Sequence, residues 1–226
     1  MLHFDTQEIE AILLSLKVGI FCILISFIPG VLIAYILARK KFWGKNLFET
    51  LINIPLVLPP VTIGYLLLSL FSREQYLGFY INKIFGMDIS LNIFGLILAS
   101  SLMGFPLLVR SIKNSYENID NQIELRALTL GANPLRVFLT VTLPLSINGI
   151  ISGLLLSFAR SIGEFGATIT FVGNIEGKTQ TIPMLIYSYS QNPDSEQKIN
   201  KLIILSIIIS FVALFISDFL NKRKAF

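Results

Sequence analysis

The residues able to do chemistry are few, and their spacing points away from catalysis. His3 is the only histidine, so a histidine metal cluster or proton relay has no second member. Gly177-Lys178-Thr179 has the ending of a phosphate-cradling loop, but Val172 stands where that loop requires its first glycine. Any energy taken from ATP must therefore come through another chain. Cys22 is the sole cysteine and lies in an apolar run; it cannot form an intrachain disulfide and reads as a small buried hydrophobe. No nucleophile has a base in reach by spacing, and nothing forms a catalytic, metal-binding or cofactor-binding set. Enzyme is the least supported class. The one pair that stands out is Arg160 and Glu164. At i and i+4 on a helix they share a face and neutralise each other, which matters because a lone charge in apolar surroundings is expensive.

The elements that must position these residues are long and apolar. Hydrophobic residues make up 54% of the 226 positions, charged residues 14%, and mean hydropathy is +0.73, whereas soluble domains carry about 25% charged residues. About 20 apolar residues cross a bilayer's hydrocarbon core. Five segments reach that length: Ala11 to Ala38, Leu47 to Phe71, Leu91 to Val109, Leu145 to Val172 and Leu202 to Leu220. The expected fold is all-α, a single polytopic bundle of five transmembrane spans covering residues 1–226. The acidic start, with Asp5, Glu8 and Glu10 and no basic leader, reads as the approach to a first span and not as a cleaved signal.

Charge then orients the bundle. Arg39, Lys40, Lys41 and Lys45 follow the first span, and Lys222, Arg223 and Lys224 follow the last; basic flanks stay in the cytoplasm, so the amino terminus is expected outside and the carboxyl terminus inside. The excess of 18 Lys and Arg over 14 Asp and Glu is explained by this topology without a nucleic-acid partner. The second and fourth loops carry balanced charge and suit the outer face. Pro29-Gly30, Pro55, Pro59-Pro60 and Pro106 interrupt the first three spans and are expected to bend them, either as packing kinks or as broken helices lining a cavity. Gly149 to Gly153 matches the small-xxx-small pattern of closely packed membrane helices.

The longest inside loop, about residues 110–144, has the most structure. Glu124 to Phe138 reads as a short helix, a stop at Gly131, and a second helix starting near Pro134 with Asn133 as its N-cap. Ile123, Ala127 and Leu130 share one stripe on the first helix, and Leu135 and Phe138 are apolar on the second. Such an elbow could lie on headgroups as an interfacial helix or fill a groove on a partner.

The loop resembles the coupling loop of ABC importer permeases, whose pattern is Glu-Ala-Ala, three residues, Gly, nine residues, an aliphatic residue, one more, then Leu-Pro. Ala127, Gly131, Val141, Leu143 and Pro144 match in register. Leu125 and Arg126 stand at the usual Glu and first Ala positions, with Glu124 one residue early. A second resemblance runs through Arg160-Ser-Ile-Gly-Glu-Phe-Gly-Ala-Thr-Ile-Thr-Phe-Val-Gly-Asn174, Thr179-Gln-Thr-Ile-Pro183 and Ile186-Tyr187, and through Leu56 to Val61 and Gly64 to Leu68. These are similar to the molybdate permease family, over about Ala11 to Leu220, with the permeases for tungstate, sulfate and thiosulfate as near relatives.

That resemblance implies a type I importer permease in a bacterial inner membrane or a plastid membrane. It works as two copies with a cytoplasmic ABC ATPase dimer and a periplasmic molybdate-binding protein, and moves the anion by alternating access. The coupling surface would be Glu124, Ala127, Leu130, Gly131, Ala132, Pro134, Leu143 and Pro144. The pathway must pass a dianion without holding it, so hydroxyls suit it better than fixed charges. Pro59, Pro60, Ser100, Ser101, Thr168 and Thr170 are the gate and lining candidates, though each hydroxyl could equally bond a carbonyl one turn back. A bare glutamate would repel the anion, so Glu164 is expected to be paired with Arg160 or to face the periplasmic partner. Two readings from other classes remain, an autonomous secondary transporter and a non-transporting membrane scaffold.

Overall fold

The computed structural model describes residues 4–222, and all regular elements among them are helical. The first, α1 (Thr6–Arg39), opens on a capping box: the Asp5 carboxylate accepts from the Glu8 N–H at 2.9 Å, and Glu8 accepts from the Asp5 N–H at 2.9 Å. This satisfies two backbone donors that a helix start leaves unpaired. Next come α2 (Lys45–Val57) and α3 (Pro60–Phe71), turned by 110° across Leu58-Pro59. Leu58 is extended, as a residue before proline prefers, and Pro60 restarts the helix at a position where its missing N–H costs nothing.

A short helix, α4 (Tyr76–Phe85), leads to α5 (Ile93–Glu117). The connecting loop holds α6 (Asn121–Thr129), α7 (Pro134–Val137), a π turn at Phe138–Thr142 and α8 (Leu143–Leu145). The chain returns through α9 (Ile147–Ile162) and α10 (Gly166–Val172), then α11 (Ile182–Ser190) and α12 (Glu196–Lys222).

Side chain to backbone bonds fix the helix directions. Cys22 Sγ, buried as expected, donates to the Ile97 carbonyl, and Arg39 reaches the Ile119 carbonyl, so α1 and α5 run in parallel. Ser111 donates to the Gly149 carbonyl and Ser161 to that of Ser100, which sets α9 antiparallel to α5. Ser152 donates to the Ser217 carbonyl and Lys201 pairs with Glu8, which returns α12 alongside α1. One end of the bundle therefore gathers residues 39–45, the 118–146 loop and the end of α12. The other gathers the starts of α1 and α12 with α11.

Close approach of α5 and α9 depends on small residues. A Cβ on Gly149 would stand 2.3 Å from the Ser115 Cβ, and one on Gly153 3.1 Å from the Leu108 carbonyl oxygen; the small-xxx-small pattern therefore marks a true contact face. The apolar core is layered along the bundle: Ala11, Ile182, Leu185 and Leu202 at one end, Cys22, Leu67, Leu96, Met103 and Phe171 in the middle, and Leu37, Leu108, Ile112, Tyr116 and Ile150 at the loop end.

Three helices are long and apolar enough to cross a membrane alone, and the count reaches five when each of two bent pairs, Lys45–Val57 with Pro60–Phe71 and Pro134–Leu145 with Ile147–Ile162, is taken as one span. Several boundaries differ from the sequence reading. Pro29, Pro55 and Pro106 sit inside continuous helices; only the Pro59-Pro60 pair ends one. The third span does not stop at Val109 but runs to Glu117, because Ile112 and Tyr116 are buried beneath it. The fourth, expected over Leu145 to Val172, stops at Ile162 and restarts at Gly166. Its break carries no proline and is held by a side chain, Glu164. Two helices, α4 and α11, lie where only loops were expected; α11 is drawn inward by its Ile182 N–H, which donates to the Ser15 hydroxyl at 2.8 Å. His3, Arg223 and Lys224 lie outside the described residues.

Candidate functional site: the loop elbow and the paired helix breaks

The loop's first half is assembled by local capping. Asp120 accepts from the Gln122 N–H at 2.9 Å to start α6, and Gly131, at φ +90°, ends it in the left-handed region that a side chain would strain. Asn133 then accepts from the Arg136 N–H at 2.7 Å and Pro134 opens α7. Ala127 accepts from the Ala132 N–H at 3.2 Å, which closes the elbow on itself.

No residue of α6 is buried. Leu130 is 88% exposed, and Ile123, Leu125, Leu128 and Leu135 are exposed around it. Ala127 and Ala132 are half-buried, and Gly131, Pro134 and Pro144 are open to the surface. A groove of about 450 Å³ lined by Asn118, Ile119, Asp120, Ile123 and Leu145 runs beside the elbow. Contiguous apolar exposure of this kind is a feature of surfaces that meet another protein or a membrane.

The second half is seated in the core. The Phe138 ring meets Tyr35 at 4.8 Å and Tyr116 at 6.4 Å between ring centres, in edge-on geometry, and Leu143 packs on the same cluster. Glu124 turns the opposite way from its leucine neighbours. Its Oε1 accepts from Arg39 Nη2 at 3.0 Å, Arg39 Nε at 3.2 Å and the Thr142 hydroxyl at 2.8 Å. Sequence reasoning missed Arg39 and Thr142 here: Arg39 carried only a topological signal, and Thr142 carried none.

The mid-bundle site joins two breaks. A Cβ on Gly64, in the first turns of α3, would stand 2.5 Å from the Ala167 carbonyl oxygen, and one on Gly166 2.9 Å from the Pro60 Cβ. The bend at Leu58-Pro59 therefore lies directly against the break at Gly163 to Phe165. Glu164 organises that break: Oε1 accepts from the Ala167 N–H at 2.8 Å and Oε2 pairs with Arg160 Nη1 at 2.6 Å. The glutamate side chain is 1% exposed and the arginine 29%.

The hydroxyl candidates divide. Thr168 donates to the carbonyls of Phe165 and Glu164 in the break, and Thr170 to that of Gly166 at 2.8 Å within α10. Ser100 is buried against α9, where its carbonyl accepts from Ser161. Ser101 lines a pocket of about 230 Å³ between α1 and α5, with Ser26, Pro29 and Phe105. The Gly177-Lys178-Thr179 turn is closed internally, with Thr179 donating to the Gly173 carbonyl and accepting from the Ile175 N–H. Among the described residues no group of three or more His, Cys, Asp or Glu could hold a metal ion.

Comparison with known proteins accounts for this arrangement. Residues 30–225 match the family model described as "Binding-protein-dependent transport system inner membrane component". The chain is 50% identical over 217 residues to the molybdenum transport system permease protein ModB of Haemophilus influenzae, covering 96% of this chain and 95% of that protein. Among solved structures it resembles a chain of a bacterial alginate ABC transporter crystallised with an alginate pentasaccharide-bound periplasmic protein, with TM-score 0.70, 18% identity, and coverage of 96% of this chain and 78% of that one. It also resembles a chain of the MetNI methionine ABC transporter in an inward-facing conformation, with TM-score 0.68, 16% identity and coverage of 95% and 92%. A bundle with a capped, leucine-bearing elbow at one end and two abutting helix breaks at its middle thus belongs to the binding-protein-dependent inner-membrane components, as a membrane-spanning ABC importer permease subunit of the molybdenum transport permease family.

Proposed function

We propose that this chain carries molybdate into the cytoplasm by alternating access, as one of two identical permease subunits driven by a cytoplasmic ABC ATPase dimer and supplied by a periplasmic binding protein. ATP hydrolysis then resides on the partner, and the permease domain comprises residues 1–226 with its coupling loop at about 110–144. The observation that carries this reading is the exposed elbow: Leu130 stands 88% exposed at the C-cap of α6, a helix with no fully buried residue. The docking surface is Ala127, Leu130, Gly131, Ala132 and Pro134, with Leu143 and Pro144 as its base.

Orientation follows from shared position. The elbow lies at the same end as Arg39, Lys40, Lys41 and Lys45 and the end of α12, the basic flanks that the positive-inside rule assigns to the cytoplasm. The amino terminus then faces outward, in a bacterial inner membrane. The 50% identity to a molybdenum transport permease supports molybdate as cargo. Pro59, Pro60 and the abutting break at Gly163 to Phe165 form the gate, where two rigid bodies can change angle. Ser100, Ser101, Thr168 and Thr170 line or brace it, and the neutralised Arg160–Glu164 pair keeps a fixed negative charge off the path.

The test is co-purification followed by reconstitution. The tagged chain brings down the ATPase, Gly131→Asp does not, and ATP hydrolysis by the complex with its binding protein rises with molybdate more than with tungstate or sulfate. A Gly131→Asp variant that still assembles and transports sinks the coupling role; equal stimulation by sulfate sinks the cargo assignment.

A further inference from the structure

We propose that Arg39, Glu124 and Thr142 form a clamp that makes α6 and α1 move as one body, so that Glu124 is a positioning residue of the coupling step and not a contact to the ATPase. The inference rests on the importer reading above for its consequence, but its geometry stands alone.

The three residues come from separate parts of the chain: the end of α1, the first turn of α6 and the π turn. One oxygen, Glu124 Oε1, receives Arg39 Nη2 at 3.0 Å, Arg39 Nε at 3.2 Å and Thr142 Oγ1 at 2.8 Å. Arg39 Nη2 also donates to the Ile119 carbonyl at 3.3 Å, so the guanidinium spans the approach to α6 and α6 itself. The ion-pair side chains are 11% and 14% exposed, shielded enough that water competes weakly for them. The π turn places the third member, as Thr142 is fully buried within it, and single π turns inside helices recur at functional sites.

Apolar packing cannot do this job. No residue of α6 is buried, whereas the following segment is seated by Phe138 between Tyr35 and Tyr116. The first half of the elbow, which bears the exposed leucines, is thus fastened to the bundle chiefly by polar bonds to one carboxylate. Thrust on those leucines enters α1 at Arg39. That helix runs to the far end of the bundle, where Glu8 pairs with Lys201 of α12 at 3.2 Å. Arginine is required, since its planar fork meets the carboxylate and the carbonyl together.

The experiment uses the permease with its ATPase and binding protein, and the permease alone in detergent. In the isolated permease, Glu124→Gln raises amide hydrogen exchange across residues 121–130 by about tenfold, since a charge-assisted bond is lost and a shielded arginine is left unpaired. In the complex, Glu124→Gln still co-purifies with the ATPase, but molybdate carried per ATP falls by about tenfold; the exchange pair Arg39→Glu with Glu124→Arg restores it to within about threefold. Thr142→Val, which leaves both charges in place, lowers it about twofold. Unchanged exchange in the isolated Glu124→Gln protein overturns the clamp. Loss of the ATPase from the Glu124→Gln complex without recovery in the exchange pair overturns it too, because Glu124 would then be a partner contact. A wild-type complex that hydrolyses no ATP sinks the importer reading, while the exchange measurement on the isolated permease still judges the clamp.

Discussion

The mid-bundle breaks and the loop elbow both depart from straight helix, yet they are held in opposite ways. At mid-bundle, Gly64 and Gly166 let backbone approach backbone, and a 1% exposed Glu164 bonds the Ala167 N–H and Arg160. At the elbow, α6 has no fully buried residue and Glu124 fastens it through Arg39 and Thr142, while Leu125, Leu128, Leu130 and Leu135 stay exposed. One region is closed by its own packing, and the other presents an open apolar face, the one proposed above to dock the ATPase. That division suits a machine in which a closed joint turns in response to force taken up at an open surface.

The comparison breaks if the joint tolerates change as readily as the surface. Gly64→Val should have the largest effect, because even the first added carbon would meet the Ala167 carbonyl oxygen at 2.5 Å. Backbone cannot yield there without opening the joint, so a loss of about 3 kcal/mol is expected, read as a lower thermal midpoint and poor yield in detergent. Glu164→Gln comes next. The amide can still accept from the Ala167 N–H, but Arg160 is left unneutralised, costing about 2 kcal/mol, with the arginine's partial exposure moderating the loss. Transport should fall with stability; a marked rise in anion leak or in affinity would mean that Glu164 faces the pathway after all.

How much of this was legible in the sequence depends on the range of the signal. Gly131, Asn133 and Pro134 are local instructions, and the helix–stop–helix they specify is the one observed. Pro59-Pro60 ends a helix as its chemistry demands. Pro29 and Pro106 carry the same local signal, but α1 and α5 run through them, since tertiary packing decides whether a lost hydrogen bond opens a kink. The break at Gly163 to Phe165 gave no warning, because Glu164 looked like half of an ion pair and not like a cap. Glu124 was placed in the elbow, but its partner Arg39 lies 85 positions away, and no periodicity links such residues. The exposed face of α6 could be read from the chain, while the inward turn of its one acidic side chain could not.

The open surface is sharpened by a substitution that should cost nothing in the isolated chain. Leu130→Ser changes an 88% exposed side chain, so stability should move by less than about 0.5 kcal/mol while recovery of the ATPase with the tagged permease drops. A thermal midpoint lowered as far as in Glu164→Gln would show that the elbow is load-carrying within the chain, and the contrast with the joint would fail.

The smallest effect expected lies at the opposite end, ahead of the first span, where Lys198 bonds Asp5 at 2.8 Å. That bond holds the Asp5 carboxyl below the usual carboxylate range, with the Glu8 N–H adding to it against some burial. With the folded value of Asp5 depressed, its contribution is complete above the unfolded value of about 3.9 and is lost as pH falls through the lower, folded one. Asp5→Asn keeps a good N-cap and removes only the charge, so its thermal midpoint should sit slightly below the parent's from about pH 5 to pH 9 and converge on it in acid. Because both side chains are well exposed, at 47% and 40%, high salt should shrink the gap. A gap that widens in acid would instead place the carboxylate in repulsion with Glu8, and the bridge between the starts of α1 and α12 would then owe its hold to Lys201 alone.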